Sequence, residues 1–118
     1  MCKILIVGDD KKICDTYSDS LKYSGHNIHV LNSAMLTLRV LPQLVPDIVL
    51  LDFQMPSVAG MFTLSFIRRL PHLAHTKVII ISFYPVHGES AQSMWGANML
   101  LVKPVASKQL IEAISIYS

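Results

Sequence analysis

The chain has 118 residues, of which 52% are hydrophobic and 15% are charged, and its formal net charge is +2. This balance excludes an intrinsically disordered chain, and so small a charge gives no reason to expect direct nucleic-acid binding. No apolar run approaches the roughly 20 residues that cross a bilayer, so we expect no membrane insertion. The length suits one domain over residues 1–118. With two cysteines and no signal-peptide pattern at its start, we expect a cytoplasmic protein.

Short runs rich in Val, Ile and Leu recur along the chain and predict five strands. They cover residues 4–7, 28–31, 48–51, 78–81 and 99–102. Most of these runs do not alternate with polar residues, and this is the pattern of strands buried on both faces of a parallel sheet. The run at 28–31 is weaker and suits a strand nearer the edge.

Helical spacing fills the intervals between these strands. The predicted helices cover residues 11–24, a stretch from a cap at Asn32 or Ser33 to about Pro42, and residues 61–70, 89–95 and 108–116. The first ends before Gly25, and Ser107 is the expected N-cap of the last. The expected inward side chains are Phe62, Phe66 and Ile67 in the third helix and Leu110, Ile111 and Ile114 in the last. Strand and helix alternate five times, which predicts an α/β domain with a parallel sheet and right-handed crossovers.

Polar residues follow the strands where each one ends. Asp9 and Asp10 follow the first strand, and Asp52 follows the third. Ser82 and Lys103 follow the fourth and fifth. Because chemistry in such sheets collects outside the carboxyl ends of the strands, we expect these side chains to meet at one edge.

The chemistry of this group indicates a phosphoryl site. Two carboxylates about 4 Å apart repel by roughly 1–4 kcal/mol, so a cluster of Asp9, Asp10 and Asp52 calls for a cation. Mg²⁺ binds through one or two carboxylates and accepts phosphate oxygens as further ligands. Lys103 supplies a positive charge and Ser82 a hydroxyl for phosphoryl oxygens, while a carboxylate such as Asp52 can act as a nucleophile.

In their order and spacing, these motifs resemble the receiver domain of two-component response regulators over essentially the whole chain. The residues that carry the resemblance are Val7-Gly8-Asp9-Asp10, Pro46 to Asp52, Met55-Pro56, Gly60, Ser82, Gly96-Ala97 and Lys103-Pro104. The resemblance implies a flavodoxin-like fold with a single doubly wound sheet of five parallel strands and five helices. It also implies that Asp52 is the phosphoacceptor.

The resemblance assigns the metal site and the switch. Mg²⁺, or Mn²⁺, would be held by Asp9, Asp10, Asp52 and the backbone carbonyl of Gln54. The remaining roles fall to Ser82 as the switch hydroxyl, Lys103 as the phosphate contact, Pro104 after a cis peptide bond, and a switch loop containing Phe83 and His87.

The sequence departs from the family pattern at three places near this site. Gly8 stands where the family has the first of two acids, Phe83 stands where a small residue follows the switch hydroxyl, and Leu100 replaces an aromatic residue on the fifth strand. We therefore expect weaker Mg²⁺ binding than in receivers with both acids, and expect Gly8→Asp to tighten it. We expect Ser82 and the following loop, rather than Leu100, to signal phosphorylation.

The function implied is phosphorelay signalling. Asp52 would accept a phosphoryl group from a sensor histidine kinase or a phosphotransfer protein and alter partner binding, with a homodimer or output partner at residues 89–118. The chain would be no enzyme beyond its own phosphorylation and dephosphorylation. The alternative is a pseudo-receiver of the same fold that binds other proteins independently of phosphate.

Overall fold

The computed structural model describes residues 2–53, 58–83 and 96–118, and contains one sheet of five parallel strands in the order β2-β1-β3-β4-β5. The strands are β1 (Lys3–Gly8), β2 (Asn27–Leu31), β3 (Ile48–Asp52), β4 (Lys77–Ser82) and β5 (Met99–Val102). The helices are α1 (Lys11–Leu21), α2 (Ala34–Leu44), α3 (Val58–Arg69), a 3₁₀ turn (Pro71–Leu73) and α4 (Ser107–Tyr117). The predicted fold class is confirmed. The helix predicted at 89–95 lies outside the described residues.

The sheet is covered on both faces, which explains why its strands lack a polar alternation. Leu5 and Val7 of β1 face α2 and α3, where Leu41 and Ile67 are fully buried. Ile4 and Ile6 face the opposite side, in a cluster completed by residues of α1 and α4. Full burial of such side chains contributes roughly 1.5–3 kcal/mol each, so the central strands anchor the fold.

The helix boundaries differ from the sequence prediction at several places, and α3 begins at Val58, three residues before the predicted start at residue 61. Helix α1 ends at Leu21, and the turn after it reaches Gly25, whose φ of 83° suits glycine. Ser33 caps α2, as one of the two predicted caps, but the helix continues past Pro42 to Leu44. A proline this close to a C-terminus removes one backbone hydrogen bond, and the last turn is still closed by the bond from Val45 N–H to the Leu41 carbonyl, 3.1 Å long.

Two predicted inward residues are exposed. In α3 the buried positions are Gly60, Thr63, Leu64 and Ile67, whereas the Phe62 side chain is 59% exposed. In α4 the buried positions are Leu110, Ala113 and Ile114, whereas Ile111 is 45% exposed. In each helix the buried residues recur every three or four positions, and Phe62 and Ile111 lie just outside that buried face.

The start of α4 also differs from the prediction, since Ser107 is its first residue and Ala106 holds the cap position. The side chain of Gln109 accepts a hydrogen bond of 2.9 Å from the Ala106 backbone N–H, so it satisfies the cap residue's own donor, which is the reciprocal half of a capping box.

Arg68 of α3 fixes the approach to β5. Its guanidinium donates to the Gly96 carbonyl at 2.7 Å, the Thr76 carbonyl at 2.9 Å and Asn98 Oδ1 at 2.9 Å. Because β5 leads directly to Lys103, these hydrogen bonds help to position the lysine at the carboxyl edge of the sheet.

In the part of the chain that the structure describes, no helix has the length and apolar character of a membrane span.

Candidate functional site

The strand register brings the predicted site residues to one edge of the sheet. Gly8 pairs with Asp52 across β1 and β3, and Ser82 pairs with Val102 across β4 and β5. The Lys103 backbone N–H donates to the Ser82 carbonyl at 2.7 Å. The end of the sheet therefore carries the aspartate, the serine and the lysine side by side, as the sequence predicts.

Asp52 and Lys103 form a buried ion pair at the centre of this edge. Lys103 Nζ lies 2.8 Å from Asp52 Oδ1, and the two side chains are only 9% and 4% exposed. Within the described residues no hydrogen-bond donor is aligned with Oδ1, so its contact with the ammonium is electrostatic. Removing the Lys103 charge would cost considerable folding free energy, because the buried Asp52 carboxylate would be left without a compensating charge.

Tyr17 is a site residue that the sequence analysis missed. Its hydroxyl donates a hydrogen bond of 2.8 Å to Asp52 Oδ2, and its side chain is buried on the inward face of α1. Burial, followed by this bond to Asp52, raises the pKa of Tyr17 well above its usual value, so the hydroxyl remains a donor. Helical spacing puts Tyr17 on the same face of α1 as Leu21, four residues later, but gives no sign that its hydroxyl reaches the aspartate.

The Phe83 ring contacts the Lys103 ammonium. The Lys103 ammonium lies 4.7 Å from the centre of the Phe83 ring, within the distance of a cation–π contact. The ring itself is 57% exposed. Where the family usually has a small residue, this chain therefore has an aromatic ring that contacts Lys103 and is partly exposed to solvent.

Asp9 and Asp10 follow Gly8, whose strand position pairs with Asp52, and their surroundings differ from those of the ion pair. Asp10 Oδ1 accepts a hydrogen bond of 3.2 Å from the Ile13 backbone N–H and so caps α1. Asp9 is exposed, and both carboxylates line an open depression with Lys11 and Lys12. Within residues 2–53, 58–83 and 96–118, no three His, Cys, Asp or Glu side chains are grouped so as to hold a metal ion.

Gly8 lies against the backbone of β3 and the start of α1. A Cβ atom at this position would lie 2.7 Å from the Asp52 carbonyl oxygen and 2.8 Å from Cys14 Sγ. These distances are too short for real contacts, so any larger residue requires the backbone or the sulfur to move. The expected benefit of Gly8→Asp for metal binding is thus opposed by the packing of this chain.

Cys14 is the buried neighbour that fills this corner. Burial, with a smaller contribution from Asp52 and the nearby acids, raises the pKa of the Cys14 thiol to about 11. Because the thiolate is the reactive form, Cys14 is a packing residue rather than a redox sensor.

The remaining predicted site residues divide between described and undescribed parts of the chain. Ser82 is buried, and the peptide bond between Lys103 and Pro104 is cis. Leu100 packs partly buried against the core on the side of α2 and α3. Gln54 and His87 lie outside the described residues.

A doubly wound five-stranded sheet with an aspartate–lysine pair at its carboxyl edge is the architecture of a signalling receiver domain. The model of the response regulator receiver domain family matches residues 4–115. The chain therefore belongs to this family, whose domains act in two-component signal transduction.

One relative is similar in sequence, and two solved structures share the fold. The response regulator protein FleR of Pseudomonas aeruginosa is 32% identical over 115 residues, which cover 96% of this chain but only 24% of FleR. The chemotaxis response regulator CheY4 of Vibrio cholerae has 22% identity and a TM-score of 0.87, and the match covers 100% of this chain and 99% of that one. The receiver domain of the Pseudomonas aeruginosa sensor histidine kinase PA1611, solved with a magnesium ion in its active-site cleft, has 17% identity and a TM-score of 0.80, over 99% of this chain and 98% of that one.

Proposed function

We propose that the chain is a phosphorylation-dependent switch in which Asp52 accepts a phosphoryl group from the phosphohistidine of a sensor histidine kinase or a phosphotransfer protein. The observation that carries this proposal is the buried Asp52 carboxylate, whose Oδ1 lies 2.8 Å from Lys103 Nζ at the carboxyl edge of the sheet. This oxygen has lone pairs for a nucleophilic attack and a cation beside it for the incoming charge.

The transfer is an in-line displacement. Asp52 Oδ1 forms a bond to phosphorus while the bond between phosphorus and the donor nitrogen breaks, and the electron pair of that bond remains on the imidazole. Lys103 then pairs with a phosphoryl oxygen, and the Ser82 hydroxyl, buried at the neighbouring strand end, supplies a second contact. The domain turns over no separate substrate, so it is a phosphoacceptor rather than a conventional enzyme.

The residues at this edge fit a hard divalent cation such as Mg²⁺ or Mn²⁺. Asp52 Oδ1 is buried with no donor aligned to it in the part of the chain that the structure describes, and Asp9 follows the strand whose last residue pairs with Asp52. Two carboxylates suffice for Mg²⁺, which keeps several waters. Receiver domains generally bind this ion, and in this chain Asp9 and Asp52 would hold it, with the Gln54 carbonyl as the third protein ligand by family resemblance. When bound, the ion supplies neutralisation of the charge that develops on the phosphoryl oxygens.

Acetyl phosphate with Mg²⁺ should add one phosphoryl group to the protein, and Asp52→Asn should abolish the addition. The reason is that the amide nitrogen and carbonyl of asparagine offer no carboxylate nucleophile. Intact-protein mass spectrometry measures the modification directly. Asp15→Asn is the matched control, since it removes a carboxylate that pairs with Lys11 on the protein surface.

An unmodified wild-type protein at saturating donor and metal would contradict the proposal and favour the phosphate-independent module. Modification that persists in Asp52→Asn would place the acceptor elsewhere. Thermal unfolding of both variants shows whether each is folded under the conditions of the assay.

The output of the switch should begin at Ser82 and Phe83. Phosphorylation gives Lys103 a new anionic partner, so its contact with the Phe83 ring changes, whereas Leu100 has no polar tip that responds to charge. We expect backbone amide shifts on addition of beryllofluoride to cluster at residues 82–95, with Leu100 little affected. Shifts centred on Leu100, with Phe83 unmoved, would contradict this account.

The proposed partners are a phosphodonor at the Asp52 edge and an output partner or second copy at residues 89–118. Of that surface the structure describes residues 96–118, where Ile111 and Ile116 are exposed at 45% and 66%. A cytoplasmic location, where such donors are found, stays a prediction from the sequence.

A further inference from the structure

The hydrogen bond from Tyr17 makes the two oxygens of Asp52 different. Oδ2 accepts the Tyr17 hydroxyl at 2.8 Å, while Oδ1 faces Lys103 at the same distance with no aligned donor among the residues described. Tyr17 is 7% exposed and Asp52 is 4% exposed, so water competes little for this bond. The hydroxyl thus holds the orientation of the carboxylate and leaves Oδ1 as the oxygen open to phosphorus.

We propose that Tyr17 shortens the lifetime of the phosphorylated state, by bonding the free Asp52 carboxylate more strongly than the phosphorylated one. This inference rests on the proposed function. A hydrogen bond to a charged oxygen is roughly twice as strong as one between neutral groups. In the carboxylate, Oδ2 carries half of a negative charge. In the acyl phosphate, Oδ2 is a neutral carbonyl oxygen, so the Tyr17 bond is weaker there.

The effect acts on hydrolysis through the leaving group. A water oxygen forms a bond to phosphorus, and the bond between phosphorus and Asp52 Oδ1 breaks. The electron pair of that bond returns to the carboxylate, and the protons of the water pass to the released phosphate and solvent. Negative charge therefore develops on Oδ2 during the step, and the Tyr17 hydroxyl is already in place to stabilise it.

The same bond acts in the opposite sense on phosphorylation. It stabilises the attacking carboxylate before the reaction and loses strength as the acyl phosphate forms. Tyr17 therefore favours the unphosphorylated state both by slowing phosphorylation and by speeding hydrolysis. This bias comes from a side chain of the receiver domain and not from the kinase.

The test is Tyr17→Phe, which keeps the ring and removes the hydroxyl. We expect phosphorylated Asp52 to hydrolyse about three- to tenfold more slowly, and the phosphorylated fraction at fixed acetyl phosphate and Mg²⁺ to rise; the upper end corresponds to about 1.4 kcal/mol. The decay is followed by mass spectrometry after the donor is removed by desalting, and the forward rate is measured separately. Tyr117→Phe is the matched control, because the Tyr117 hydroxyl donates to the Asn98 carbonyl, at a distance of 3.0 Å, and not to Asp52.

The outcomes separate this inference from the proposed function. If the wild type is phosphorylated but Tyr17→Phe decays at the wild-type rate or faster, the role of Tyr17 is wrong and the function stands. If Tyr117→Phe slows decay equally, the effect is one of general packing and the inference fails. If the wild type is not phosphorylated at all, both fail. Tyr17→Leu provides a second variant without the hydroxyl should the phenylalanine variant unfold, and the same slowing is expected.

Discussion

Replacing Lys103 with methionine should slow the phosphorylation of Asp52 by roughly 100- to 1,000-fold, the usual loss when one preorganised charge partner is removed. Lys103 Nζ lies 2.8 Å from the attacking oxygen and is buried with it, so no mobile cation takes its place at low cost. Methionine keeps an unbranched apolar stem of similar length, which separates the effect of charge from that of volume. The time course of the mass increase with acetyl phosphate measures the rate.

The same substitution should destabilise the fold by about 3–5 kcal/mol, because it leaves the Asp52 carboxylate buried without its cation. Adding Asp52→Asn to Lys103→Met should restore much of that loss, since neither charge then remains. Urea unfolding of the single and double variants measures the difference, and Lys108→Met, an exposed lysine at the start of α4, is the control. A Lys103→Met protein as stable and as reactive as the wild type would mean that the pair contributes to neither property.

The sheet and the meeting of the site residues could be predicted because they depend on local patterns. Four of the strands are continuous apolar runs, a pattern that predicts burial on both faces. The prediction is right for β1, β3 and β4, whereas β5 is only partly buried because it lies at the edge of the sheet. The chemistry at the carboxyl edge follows from topology, since parallel strands end together. Asp52 and Lys103 could therefore be brought together from residue order alone, and the structure places them 2.8 Å apart.

The contacts that distinguish this chain could not be predicted, because they depend on how helices are rotated and how closely strands approach. The reach of the Tyr17 hydroxyl depends on the position of α1 against β3 to within about the length of a hydrogen bond. Phe62 and Ile111 were misplaced for the same reason, since an inward stripe several residues wide has edges that sequence periodicity does not resolve. Pro42 suggested a helix end, but a proline in the last turn costs only one bond.

The unusual residues of the site all contact the same ion pair or its backbone. Gly8 lies against the Asp52 carbonyl, Tyr17 bonds Asp52 Oδ2, and the Phe83 ring lies over Lys103. The ion pair and its backbone are thus contacted by three residues, of which Gly8 and Phe83 differ from the usual family pattern. Substitutions at these positions are therefore expected to change the rates of the proposed phosphorylation, whereas its reacting groups, Asp52 and Lys103, are those of the family.

Restoring the family acid with Gly8→Asp should destabilise the protein and should not tighten Mg²⁺ binding. The new Cβ would lie 2.7 Å from the Asp52 carbonyl oxygen and 2.8 Å from Cys14 Sγ, and overpacking of this kind costs about 1–3 kcal/mol. The added carboxylate also repels Asp52 and Asp9 in the metal-free protein. A bound cation relieves this repulsion, but the backbone shift that admits the new side chain moves the Asp52 carbonyl and offsets the gain in affinity. Urea unfolding without metal measures the stability, and a Mg²⁺ titration followed by backbone amide shifts measures the affinity.

Gly8→Ala separates the two causes, because it adds the Cβ without the charge. It should lose most of the stability that Gly8→Asp loses to packing, and adding Cys14→Ala should recover the part due to the sulfur while the backbone part remains. A Gly8→Asp protein that is as stable as the wild type and binds Mg²⁺ more tightly would show that β1 and β3 separate easily at this point. The missing acid would then be the sole reason for weak metal binding, and the close packing around Gly8 would have no influence on it.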